Sequence, residues 1–204
     1  MAVDNSDIIR NFVPEKDDGD TYVYTELLDR RKTKGNNGFR LVKSFFHRDR
    51  ESFDVQLPAI KELCVSYGCR AYTRISPRSF KKTAGVFLKM VTEAYVACNY
   101  DGMKTLYNKA CGNVAPEVKY WMLDVDVLED KTRHTSLYQV LRQEDGRGNL
   151  GPSLNGWVWV DEVPSKRGCH YIVKPFDIRE LVIPEGIDLK KDANTNLYIP
   201  DSAE

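Results

Sequence analysis

Two stretches with helical apolar spacing, residues 52–67 and 79–98, bracket a strand-length segment at 69–76, and this order limits the fold more than any other feature. Ser52 reads as an N-cap, Val55, Ile60, Leu63, Cys64 and Tyr67 approximate one face, and Gly68 ends the run. Ser79 caps the second helix, whose stripe is Phe80, Phe87, Met90, Val91, Ala94, Tyr95 and Cys98. Segments rich in β-branched and aromatic residues recur at 39–46, 120–127, 157–163 and 170–174, with short ones at 187–189 and 197–199. A third helix is expected over 132–144, with Leu137, Val140 and Leu141 inward, and a brief one over 177–181. The order predicts a two-layer α+β domain, a mainly antiparallel sheet with helices on one face. Residues 1–21 read as a loose, flexible arm and 22–204 as a single domain. Residues 22–34 mix both propensities, and 34–38 and 146–156 carry turn chemistry.

Hydrophobic residues make up 42% of the chain and charged ones 29%, the balance of an ordinary globular protein. Thirty basic and thirty acidic residues cancel, so nucleic-acid binding has to come from a local basic patch. The five cysteines form no CxxC pair, which argues against a disulfide framework or zinc knuckle and points to a reducing, cytoplasmic location. The N-terminus lacks the pattern of a secretion signal, and no apolar run reaches the ~18 residues of a membrane span.

The strand at 120–127 carries the most chemistry. Met122, Asp124 and Asp126 fall on one side and Trp121, Leu123, Val125 and Val127 on the other. Two carboxylates roughly 7 Å apart on an apolar strand repel one another and lose hydration, and Mg²⁺ or Mn²⁺ resolves both problems. The alternative is a strand end with Asp126 simply solvated. The turn at 165–170 sets Ser165, Lys166, Arg167 and Gly168 before His170, an arrangement that suits an anion, since glycine lets the main chain approach a phosphate closely. His170, Ile172 and Lys174 share the next strand face. A solvated basic hairpin is the competing reading. Arg70, Tyr72 and Arg74 share one strand face, with Arg78 close behind, a pattern that can stack a base and clamp a phosphate. A charged, protected edge strand explains it equally. Lys190 and Lys191 read as ordinary solvated charge, and His47 has no visible partner. Cys169 and His170 point to opposite faces, and no GxSxG elbow supports a Ser165–His170 hydrolase.

An Asp-x-Asp strand followed some forty residues later by a Ser-x-x-Gly-x-His turn resembles the archaeo-eukaryotic primase (primase-polymerase) superfamily. The resemblance covers residues 119–174. It implies a palm-like, RRM-like core in which Asp124 and Asp126 hold Mg²⁺ or Mn²⁺ and act with His170, while Ser165, Lys166, Gly168 and Lys174 bind nucleotide phosphates. Arg70, Arg74 and Arg78 would steady template or product. The superfamily's third metal-binding acid has no clear match; Asp177, read as a third metal ligand, and Asp188 are the candidates. The wider pattern, including Arg70-Ala71-Tyr72, Trp121 and the 168–177 run, also resembles small bacteriophage proteins without an established activity. A phage protein would work in the host cytoplasm. The expected function is metal-dependent nucleotide or nucleic-acid binding, with nucleotidyl transfer if active. The alternatives are a non-catalytic single-stranded nucleic-acid-binding protein and a metal-dependent phosphoesterase.

Overall fold

A computed structural model describes residues 1–30, 39–126, 159–176, 178–179, 183, 185–192 and 194–201 of the chain. The turn expected at 34–38, the helix at 132–144, the loop at 146–156 and the candidate ligand Asp177 lie outside the described residues.

In chain order the elements are β1 (Val3–Asp4), α1 (Ser6–Arg10), β2 (Thr21–Asp29), β3 (Arg40–His47), α2 (Arg50–Tyr67), β4 (Arg70–Ser79), α3 (Phe80–Val96) and α4 (Leu106–Asn113). They continue with β5 (Trp121–Val125), β6 (Trp159–Pro164), β7 (Cys169–Val173), β8 (Ile187–Lys190) and β9 (Asn194–Ile199). The chain is a mixed α+β domain, as its element pattern predicts. Its strands divide between two antiparallel sheets, one in the order β1-β9-β4-β2-β3 and one in the order β6-β7-β5-β8.

Local chemistry accounts for the helix ends. Asp49 accepts the Ser52 N–H and the Ser52 hydroxyl accepts the Asp49 N–H, so α2 begins in a capping box with Ser52 at its third position, not at the cap. Gly68 ends α2 with φ 60°, the left-handed conformation that glycine adopts without a Cβ clash. Ser79 caps α3 by accepting the Lys82 N–H, as expected.

The main core lies between the five-stranded sheet, α2 and one face of the four-stranded sheet. Phe53, Ile60 and Cys64 of α2 meet Leu27, Ala71 and Ile75, together with Met122, Val163 and Ile172. The buried face of α2 thus runs through Phe53, and Val55 and Tyr67 point to solvent, contrary to the face expected from spacing. Phe53, Leu57, Ile60 and Cys64 follow the i, i+4, i+7, i+11 spacing of one helix face, and Val55, two residues from both Phe53 and Leu57, falls on another. On the opposite face of β2, Tyr22 and Tyr24 pack with Phe46, Phe80, Tyr107 and Cys111. Through these contacts α3 and α4 cover that second face, so the helices divide between both faces of the sheet instead of lying on one. Thr83 is the buried residue of α3, while Tyr95 and Cys98 of its expected apolar stripe are exposed.

Residues 1–21 are no loose arm. β1 pairs with β9, and Ile9, Phe12 and Val13 enter the main core. The Asn5 side-chain amide donates to the carbonyls of Pro164 and Asn196, tying β6 of one sheet to β9 of the other. The acidic and proline breaks that make this segment look like a linker hide one short amphipathic turn, Ile8-Ile9 followed by Phe12-Val13.

A polar row crosses the inner face of the larger sheet. His47 Nε2 and Thr25 Oγ1 are 2.8 Å apart, Thr25 and Thr73 share a 2.7 Å hydrogen bond, and Thr195 lies opposite Thr73 in the register. His47 is fully buried, edge-on to Phe53, with no partner for Nδ1 among the described residues. Burial pushes its pKa down from 6.5 to about 4. The unfolded chain therefore takes up this proton at a higher pH than the folded protein does. Stability is complete above about pH 6.5 and falls by about 3 kcal/mol as pH drops toward 4. Urea unfolding at pH 7.5 and 4.5 measures the loss. His47→Gln should flatten it; an unchanged slope contradicts the assignment.

Candidate functional site

β5 sits between β7 and β8, and its register sets the geometry. Asp124 lies directly opposite His170 on β7 and directly opposite Asp188 on β8. Directly opposed residues have Cβ atoms about 4.5–5.5 Å apart on the same face, so an imidazole and two carboxylates form one row across three strands. Met122 and Ile172, on that same face, continue into the main core and anchor the row at one end.

The His170 ring is 6% exposed as a residue and held from both sides. Its Nε2–H faces Asp124 Oδ1 at 3.3 Å, and Nδ1 shares a 2.9 Å hydrogen bond with Thr195 Oγ1. An ionised carboxylate only accepts, which assigns Nε2 as the donor to Asp124. The second oxygen of Asp124 accepts from the Lys190 ammonium. The His170 hydrogen bond lowers the Asp124 pKa, burial raises it and Lys190 lowers it again, for a net value of about 2. Asp124 is an anion at neutral pH. Thr195 is fully buried, which removes it as a nucleophile, and a hydrolytic triad is not available here.

The donor set fits a hard divalent cation in its chemistry. Asp124 and Asp188 offer carboxylate oxygens from adjacent strands, and Asp126, exposed in the bend that follows β5, offers another. The chain's own Lys190 ammonium already places positive charge on Asp124. As the side chains stand, no three described His, Cys, Asp or Glu residues converge on one point. A cation bound here would take over the contact that Lys190 makes.

The remaining residues singled out by sequence are placed differently. Ser165 and Gly168 close the β6–β7 turn on one another: the Ser165 hydroxyl accepts the Gly168 N–H and the Gly168 carbonyl accepts the Ser165 N–H, both at 2.9 Å. The close approach that requires glycine is to β5, since a Cβ on Gly168 would lie 1.8 Å from the Val125 carbonyl oxygen. The phosphate cradle assigned to Ser165 and Gly168 is thus occupied by the protein itself. Lys166, in the turn, and Lys174, just beyond β7, are exposed. Arg70, Tyr72 and Arg74 do share a face of β4, opposite Glu26 and Tyr24 of β2. That face is turned away from Thr73 and Thr195, and hence from the acid row, so these arginines do not join Asp124 in a single site.

Arg78 is fully buried. It donates to the carbonyls of Val114 and Ser76 and to the carboxylate of Asp192, so it is a structural cation and not a substrate ligand. Arg74 reaches the same Asp192, 3.2 Å from its carbonyl oxygen, and lies over the Tyr24 ring. Lys190 and Asp192 are the residues that sequence reasoning passed over. Lys190 was legible in principle: it follows Asp188 by two positions, so a strand there puts both on one face.

No helix among the described residues is long and apolar enough to cross a membrane. Comparison with protein-family models, curated proteins and solved structures returns no match. The fold and site define an antiparallel α+β protein with a His–Asp–Asp row on adjacent strands.

Proposed function

We propose that the protein binds a nucleotide, or the end of a nucleic-acid strand, at the Asp124 row together with Mg²⁺ or Mn²⁺, in the manner of a primase-polymerase-like palm. One observation carries this reading: the register that sets His170 and Asp188 on either side of Asp124. Asp188, one of the two candidates for the third acid, lies adjacent to Asp124. Asp124 and Asp188, with Asp126, are the ligands for the cation. Bound there, the cation would supply charge neutralisation for phosphates and lower the pKa of an attacking hydroxyl. In this reading His170, buried and held between Thr195 and Asp124, orients the Asp124 carboxylate toward the cation. Lys190 leaves Asp124 when the cation arrives, and its ammonium is then available to the same phosphates.

Isothermal titration of Mn²⁺ with a nucleoside triphosphate tests this reading. Wild type should bind, and Asp124→Ala and Asp188→Ala should each lose about tenfold or more in affinity. No binding by wild type ends it. Primer extension by the same proteins then decides whether nucleotidyl transfer follows.

A second reading, single-stranded nucleic-acid binding without chemistry, is favoured by Arg70, Tyr72 and Arg74 sharing one face of β4, where cations and an aromatic ring stand together. Binding that falls steeply with salt and ignores a chelator would select it over the first.

A further inference from the structure

The end of α4 with the residues after it, the start of β5, and the residues that follow β8 enclose a cleft of about 490 Å³, within the size range of small-ligand sites. Its lining includes Val114, Pro116, Lys119, Trp121, Lys191 and Asp192. Trp121 packs with Phe176 in the cluster on the opposite face of β5 from Asp124, so this cleft lies on the reverse of the acid row.

Three properties of the lining define a ligand. Lys119 and Lys191 are exposed, and the Lys191 ammonium lies 5.3 Å from the centroid of the Trp121 ring, so positive charge and an aromatic surface share one wall. Val114 and Pro116 add apolar surface against which a flat ring can pack. Asp192, which lines the cleft and is part-exposed, supplies a fixed acceptor, because its carboxylate is held by the fully buried Arg78, which also grips the Val114 carbonyl. An anionic group for the lysines, a planar ring for the apolar wall and an N–H or O–H for Asp192 together describe one class of molecule.

We propose that this cleft is a second binding site, which takes a nucleoside monophosphate unit with its phosphate at Lys119 and Lys191 and a base or sugar donor at Asp192. The unit is either a free mononucleotide or one residue of a single strand. The site needs no metal and is independent of the reading given for Asp124.

Titration in the presence of EDTA isolates it. The four ribonucleoside monophosphates and a short single-stranded oligonucleotide are each titrated into wild type, Lys119→Ala/Lys191→Ala and the charge-matched Lys81→Ala/Lys89→Ala. All four lysines are exposed, so both double variants are expected to fold. Lys119→Ala/Lys191→Ala should bind about tenfold more weakly or worse, and Lys81→Ala/Lys89→Ala should match wild type. Binding of a monophosphate identifies a free-nucleotide site, and binding of the oligonucleotide alone identifies a strand unit. No binding of either probe by wild type, equal binding by Lys119→Ala/Lys191→Ala, or an equal loss in Lys81→Ala/Lys89→Ala overturns the proposal.

Discussion

Arg78→Met should lower the unfolding free energy by about 3–5 kcal/mol, the cost of removing one partner of a buried ion pair. The guanidinium has no solvent exposure and makes hydrogen bonds to two carbonyls and one carboxylate. Methionine fills a similar volume but leaves the Val114 and Ser76 carbonyls without that donor, and leaves Asp192 with Arg74 alone. Arg78→Lys should recover little, because a single ammonium does not reproduce the three-way fork. The same change unseats Asp192, so the cleft beside Trp121 should lose its acceptor along with the stability. For a chain of this size the melting temperature drops by about 2–4 °C for each kcal/mol lost. Chemical unfolding of wild type and both variants measures the effect, and a loss under about 1 kcal/mol for Arg78→Met would show that the buried pair is not a structural element.

Gly168→Ala should be nearly as damaging. The added Cβ would stand 1.8 Å from the Val125 carbonyl oxygen and 2.9 Å from the carbonyl carbons of Val125 and Asp126. All three are backbone atoms, of β5 and the bend that follows it, so no side chain can swing away to make room. Relief requires β5 and the β6–β7 turn to separate, and overpacking of this kind costs about 3 kcal/mol or more. The separation begins one residue from the Asp124–His170 pair, since Val125 pairs with Cys169. Cation binding should therefore weaken together with stability. A variant that melts within a degree of wild type would mean that the turn has slack and that glycine is there for another reason.

The parts of the fold written in short-range periodicity were legible. Alternation alone places Met122 and Asp124 on one face of β5, with Leu123 and Val125 on the other. Gly68 and Ser79 mark helix ends through conformational chemistry that needs no tertiary context. The rest depended on what faces what. Phe53 and not Val55 takes the buried face of α2, and spacing alone does not choose between two overlapping stripes. Residues 8–13 dock because a pocket between α2 and β9 awaits them, which polarity along the segment does not reveal. The arginines on β4 read alike in sequence, yet Arg78 is buried on Asp192 while Arg70 and Arg74 keep unpartnered nitrogens. Strand pairing also gives Asp188 a neighbour that the sequence does not reveal: one of two candidate acids in the chain, it lies opposite Asp124 because β8 pairs with β5.

Mn²⁺ soaked into crystals of the protein gives the most direct test of the account. The central claim predicts an anomalous-difference peak bonded to carboxylate oxygens of both Asp124 and Asp188, with the Lys190 ammonium withdrawn from Asp124. A fully occupied Lys190–Asp124 pair with no peak at the row, at Mn²⁺ concentrations that saturate exposed carboxylates elsewhere, would contradict it.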